Sequence, residues 1–186
     1  MLYIHLYGRL QLFYHERPFT FTAPPKTLPL WVYLLLHRTQ PVSRDTLAFT
    51  LWPDVLETRA RANLRRHLHQ LQQALPPPVP DKPWLVREAG TLQWNPAAGC
   101  WLDVAEFERL SGVADYLSKA VALYSGDLLP ELDEAWLLPH RERLRNQFFA
   151  NLSRLIARCQ AQRNQVQAIA YAQQALTHDP LREEMV

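Results

Sequence analysis

Residues 41–75, PVSRDTLAFTLWPDVLETRARANLRRHLHQLQQAL, decide how this 186-residue chain folds. The segment reads as two helices joined by a short turn. The first opens at Ser43, a side chain suited to N-capping, places Asp45 in the positive first turn and stops before Pro53. The second covers about 57–75 and is terminated by Pro76-Pro77-Pro78. At about 100° per residue, Ala60, Leu64, Leu68, Leu71 and Leu75 form one narrow stripe, the face for a core. Arg59, Ala62, Arg66, His69, Gln70 and Gln73 fall on the opposite face, with Asn63 and Arg65 on its flanks.

Upstream, residues 28–38 predict another helix, with Thr27 as N-cap, Pro29 in the first turn and Leu28, Trp31, Val32, Leu35 and Leu36 at helical spacing. Before it the pattern is β. Leu2, Ile4 and Leu6 alternate with Tyr3, His5 and Tyr7; Gly8 interrupts, residues 10–14 resume, and residues 15–18 turn the chain into Phe19-Thr20-Phe21. Downstream of the prolines, residues 84–87, a turn at Gly90 and residues 91–94 predict a hairpin. Strands, three helices and a terminal hairpin, in that order, describe a winged helix-turn-helix in which the hairpin is the wing.

The open face of 57–75 has the chemistry to meet a DNA duplex. Arginine bonds guanine bidentately, and asparagine or glutamine does the same for adenine. In a helix-turn-helix the N-terminal part of the second helix enters the major groove, which makes Arg59, Asn63 and Arg66 the leading candidates for base or phosphate contact. Arg65, His69, Gln70 and Gln73 share the surface, Arg87 and Thr91 sit near the wing tip, and Arg44 starts the preceding helix as a phosphate candidate. Taken alone, a basic, glutamine-rich helix is common solvent-facing surface; the helix before it and the hairpin after it supply the context.

Beyond Cys100 the pattern is helical. Asp103-Val104-Ala105-Glu106 predicts a capping box, Asp115 the cap of a helix that closes at Gly126, and long helices follow over 138–162 and 166–178. Asp179-Pro180 predicts the start of one more, so the chain reads as the N-terminal part of a longer polypeptide, truncated inside its helical domain. Of the tryptophans, Trp31 and Trp52 are assigned to the three-helix core, Trp84 and Trp94 to a pair across the wing, and Trp136 to the helical repeats.

Charge divides by position. Residues 1–100 hold 11 Arg+Lys against 6 Asp+Glu, a net of +5; residues 101–186 hold 9 against 12, a net of −3. A basic half for a polyanion and an acidic half for another partner would give this split, as would ordinary surface scatter. Cys100 and Cys159 are far apart, without metal-like spacing, and no disulfide framework is legible. No stretch reaches the length of a membrane span and no leader is evident, so the expectation is a cytoplasmic protein without membrane contact. No Gly-rich phosphate loop, GxSxG or HExxH occurs, so no enzyme, cofactor or metal site is expected. His67 and His69 point in different directions on one helix, and His140 with Glu142 lies in a charged helix start.

The block 41–75 resembles the winged-helix domain of SARP-type activators, itself related to the OmpR type, through LWPD and RARANLR. WLDVAEFERL and ALYSGDLLPELDEAWLLPHRERLRNQF resemble the bacterial transcriptional activator domain that accompanies it. Ala168, Ala175 and Pro180 stand at the spacing of a tetratricopeptide repeat, although Ala172 and Ile156 depart from its usual aromatic and glycine. The resemblance implies an α+β winged helix over 1–100 followed by an all-α, TPR-like helical domain over 101–186. It also implies binding to promoter direct repeats, contact with RNA polymerase and self-association on DNA. OmpR-type proteins usually carry a receiver ahead of the winged helix, whereas this sequence starts with the sheet itself. The competing expectation is a protein-interaction scaffold whose helical repeats do the work and whose winged helix docks protein.

Overall fold

The computed structural model describes residues 1–179. The chain folds as two compact units, one made of Met1–Ile4 and Gln11–Trp101, the other of His5–Leu10 and the chain from Leu102 onward. The second unit therefore takes in an N-terminal segment that a division at residue 100 leaves to the first.

The first unit contains β2 (Gln11–Tyr14), β3 (Arg17–Pro18), α1 (Thr27–Leu36), β4 (Val42–Ser43), α2 (Arg44–Leu51), α3 (Glu57–Ala74), the hairpin β5 (Leu85–Glu88) and β6 (Thr91–Trp94), and all but the last residue of β1 (Leu2–His5) and β7 (Cys100–Leu102). One sheet has the order β3-β2-β1-β7, the other β4-β6-β5. This is a winged helix. His15 and Glu16 both take positive φ, so two residues close the first hairpin and Tyr14 faces Arg17. The returning strand is thus Arg17–Pro18 rather than the expected 19–21; Phe21 has left the sheet to stack on Trp31, with ring centroids 4.8 Å apart.

The α3 stripe is buried as its spacing predicts: Ala60, Leu64, Leu68, Leu71 and Leu75 are all enclosed. Ser43 caps α2, accepting the Thr46 amide at 2.9 Å. Thr27, in contrast, does not cap α1. It is the first residue of the helix, fully buried, and its Oγ1 lies 2.8 Å from Nδ1 of His67. His67 stacks on Trp52, and burial, aided by neighbouring Arg66, pushes its imidazole below the ordinary histidine value. At the wing, Trp84 stacks on Trp94 at 5.4 Å and donates its indole N–H to the Pro76 carbonyl at 2.7 Å, while Trp94 also meets Trp31.

The second unit carries α4 (Asp103–Ser111), α5 (Leu117–Leu123), α6 (Leu138–Ala161) and α7 (Gln165–His178). Asp103 is 2% exposed, and its carboxylate accepts backbone N–H groups from Leu6 (2.7 Å), Tyr7 (3.0 Å) and Val104 (2.7 Å). Burial pushes its carboxyl above the usual value, against those three amides, which hold it down. The expected capping box does not form, because Asp103 is committed to Leu6 and Tyr7 and Glu106 pairs with Arg109. Asp115 caps no helix either; it lies in a 3-10 turn, Ala114–Tyr116, and pairs with Arg158.

Strand alternation sends Tyr7 to the face of Tyr3 and His5, yet it is 2% exposed. Regular pairing ends at His5, and residues 6–8 dock instead on the LYSGDLL segment: Leu129 donates to Leu6 O at 3.0 Å and Gly8 to Asp127 O at 2.9 Å. The Tyr7 ring then packs on Phe107 and Tyr124. Gly8 sits at φ +71, where a side chain would be strained. Arg141 spans the carbonyls of Leu128, Leu129 and Leu132, and Arg145 pairs with Asp127, which also accepts the Tyr124 hydroxyl at 2.7 Å. Burial would raise the Asp127 carboxyl, but hydrogen bonds from Arg145 and Tyr124 prevail and hold it low. Trp136 is half-buried and bonded to Glu134. Buried Ala168 and Ala175 let α7 lie close against α6. Pro180 and the helix expected after it lie outside the described residues.

Two outcomes follow. Asp103→Asn turns an amide donor toward backbone donors, leaves a buried N–H unsatisfied and costs about 1–3 kcal/mol, seen as a lower urea midpoint at unchanged slope. Because His67 resists protonation only when folded, stability is full above the unfolded histidine value of about 6.5 and falls as pH drops below it. Thermal midpoints taken between pH 7.5 and 5 decline less steeply in His67→Gln than in the parent; parallel declines would show that His67 is not the titrating group.

Candidate nucleic-acid interface

Because α3 buries one stripe, its remaining surface is fixed. Arg59, Ala62, Arg65, Arg66, His69, Gln72 and Gln73 are exposed, and Asn63 is half-buried at the edge. Gln70 belongs with Asn63 rather than on the open face: it is half-buried, and its Oε1 is enclosed without a hydrogen-bond partner among the described residues.

The candidates separate onto two flanks of the helix. On one, Arg59, Asn63 and Arg66 follow at i, i+4 and i+7, and Arg66 Nη2 donates to Asn63 Oδ1 at 3.2 Å. On the other, Arg65 and His69 meet Arg44 from the start of α2 and Arg87 from the wing in one cleft of about 270 Å³. Gln72 lines the same cleft, accepting from Arg87 Nη2 at 2.6 Å. The sequence reading omitted Gln72, although its position three residues after His69 carried the signal.

The wing is tied to α2 at its tip. Ser43 pairs with Thr91, and the Arg44 amide donates to Gly90 O at 2.9 Å. Thr91 is consequently half-buried beside Ser43, while Arg87 points to α3. Arg61, the remaining arginine of α3, is occupied: it bonds Asp45 through two nitrogens, lies 3.4 Å from Glu57 and covers the Phe49 ring. Those bonds hold the Asp45 carboxyl below its usual value. Among the described residues, Arg44, Arg59 and Arg65 have no acidic partner, so their charge is available to solvent or ligand. No group of three or more His, Cys, Asp or Glu able to hold a metal occurs among the described residues, and no described helix is long and apolar enough to cross a membrane.

Residues 102–186 match the bacterial transcriptional activator domain. Mycobacterium tuberculosis EmbR, solved in complex with a low affinity phosphopeptide, is similar in structure, with a TM-score of 0.76 at 21% identity over 99% of this chain and 52% of that one. The chain spans about half the length of that relative. Among curated proteins none matches the sequence. The chain thus carries a winged helix ahead of a segment similar to the bacterial transcriptional activator domain, in a fold it shares with EmbR.

Proposed function

We propose that the first unit binds duplex DNA, with α3 in the major groove and the wing on the adjoining backbone, and that the protein acts as a sequence-specific transcriptional activator. The supporting observation is the open face of α3, where Arg59, Arg65, Arg66, His69 and Gln73 are exposed, while the helix's own acid, Glu57, engages Arg61. Guanidinium and amide donors on the outer face of a helix rooted in a core have the reach and chemistry for base edges and phosphates. On this reading Arg59, Asn63 and Arg66 address bases, Arg44, Arg65 and Arg87 address the backbone, and Thr91 stands at the wing–groove margin. By resemblance, the operator is a set of promoter direct repeats, neighbouring copies associate on it and RNA polymerase is the protein partner, all in the cytoplasm.

The second unit is the half proposed to contact protein. Its α7 has no Asp, Glu, Lys or Arg, and it exposes Val166 and Ile169 beside an apolar hollow that includes Ile156, Ala172 and Leu176. That surface also supports the scaffold reading, in which no DNA preference would be found.

The deciding measurement is duplex affinity against salt, after selecting bound sequences from a random duplex library. The expected log–log slope is about −0.9 for each phosphate neutralised. Arg66→Ala lowers affinity by about 1–3 kcal/mol and relaxes preference at one base position. Promoter binding unchanged in the Arg59→Ala, Arg66→Ala double variant would remove α3 from the reading role.

A further inference from the structure

The cleft between α2, α3 and the wing gathers three guanidinium side chains from three separate elements. Arg44 is half-buried, Arg65 and Arg87 are exposed, and Leu68 forms an apolar wall beside them. No carboxylate lines the hollow, and the partner that holds Arg87 is the neutral amide of Gln72. Like charges brought together repel, and more strongly against an apolar wall than in open water. A neutral base edge would leave that repulsion in place, since one guanine accepts one guanidinium fork. A phosphodiester relieves it, because its anionic oxygens accept from several arginines at once. The walls also form a braced frame: Ser43 pairs with Thr91, Arg44 donates to Gly90, and Arg87 is held on α3.

We propose that this cleft seats a single phosphodiester of the duplex, gripped jointly by Arg44, Arg65 and Arg87, with Gln72 as the positioning residue that aims Arg87. The proposal deepens the duplex-binding reading above and rests on it. It separates two tasks on one helix: the flank of Arg65, His69 and Gln72 fixes register on the backbone, and the flank of Arg59, Asn63 and Arg66 is left to inspect bases.

The salt slope counts phosphates, which makes the shared grip measurable. The triple variant Arg44→Ala, Arg65→Ala, Arg87→Ala loses about 0.9 from the slope if one phosphate is shared, against about 2.7 if each arginine holds its own. A duplex series with one neutral methylphosphonate at each successive position should show one site that weakens the parent protein and leaves the triple variant unaffected. Gln72→Ala should lower affinity by the same factor on cognate and scrambled duplexes, at an unchanged thermal midpoint, and have no effect in an Arg87→Ala background. Slope losses near 2.7, or sensitivity to different methylphosphonate positions in the three single variants, would overturn the shared site. A second arm titrates inorganic phosphate into the parent protein and follows the arginine Nε–H resonances. Shifts at all three arginines without any duplex binding would keep the phosphate cleft and discard the duplex reading; no shifts and no duplex binding would discard both.

Discussion

A helix has one face to bury, and in α3 that face is taken by Ala60, Leu64, His67, Leu68 and Leu71. Everything proposed for the surface depends on this commitment. Rotating the helix by one residue, about 100°, would bring Arg61 and Arg65 to the core and expose leucine. The Thr27–His67 bond and the Trp52 stack resist such a slip, since a buried imidazole keeps its hydrogen-bond partner only in one setting. Arginine directions at the surface are therefore set from inside the unit.

The second unit is organised by the opposite device, a buried charge that collects backbone. Asp103 receives amides at positions 6, 7 and 104, and the LYSGDLL segment encloses the same strand end through Asp127, Leu128 and Leu129. The arginines of α6 then act inward, Arg141 on three carbonyls and Arg145 on Asp127. They match the exposed arginines of α3 in type, but these two are spent on holding the unit together.

Periodicity made the helices and the wing legible, because a stripe of leucines or a pair of strands about a glycine is local information. The caps were less so. Ser43 behaved as its residue type suggests, whereas Thr27 and Asp115 found partners remote in sequence, and Asp103 shares its carboxylate between the adjacent Val104 amide and the distant Leu6 and Tyr7. Tyr7 escaped for the same reason: alternation describes a strand only while pairing lasts, and pairing stops at His5. On the surface, the 100° rule distinguished buried from open on α3 but overstated the exposure of Gln70 and omitted Gln72. The convergence of Arg44, Arg65 and Arg87 needs three elements in space, which no single window contains.

The Leu6–Asp103 bond closes across 97 positions of chain, which gives it a bearing on biosynthesis. A ribosome adding about 5–20 residues per second releases the segment at Leu6–Gly8 roughly 5–20 s before its acceptor carboxylate. Throughout that interval Leu6 and Tyr7 are apolar side chains without their final enclosure. The helical unit is therefore discontinuous in the order of its making: residues 6–8 wait on a carboxylate made 97 positions after Leu6, and the unit cannot be cut out as one run of sequence without losing them.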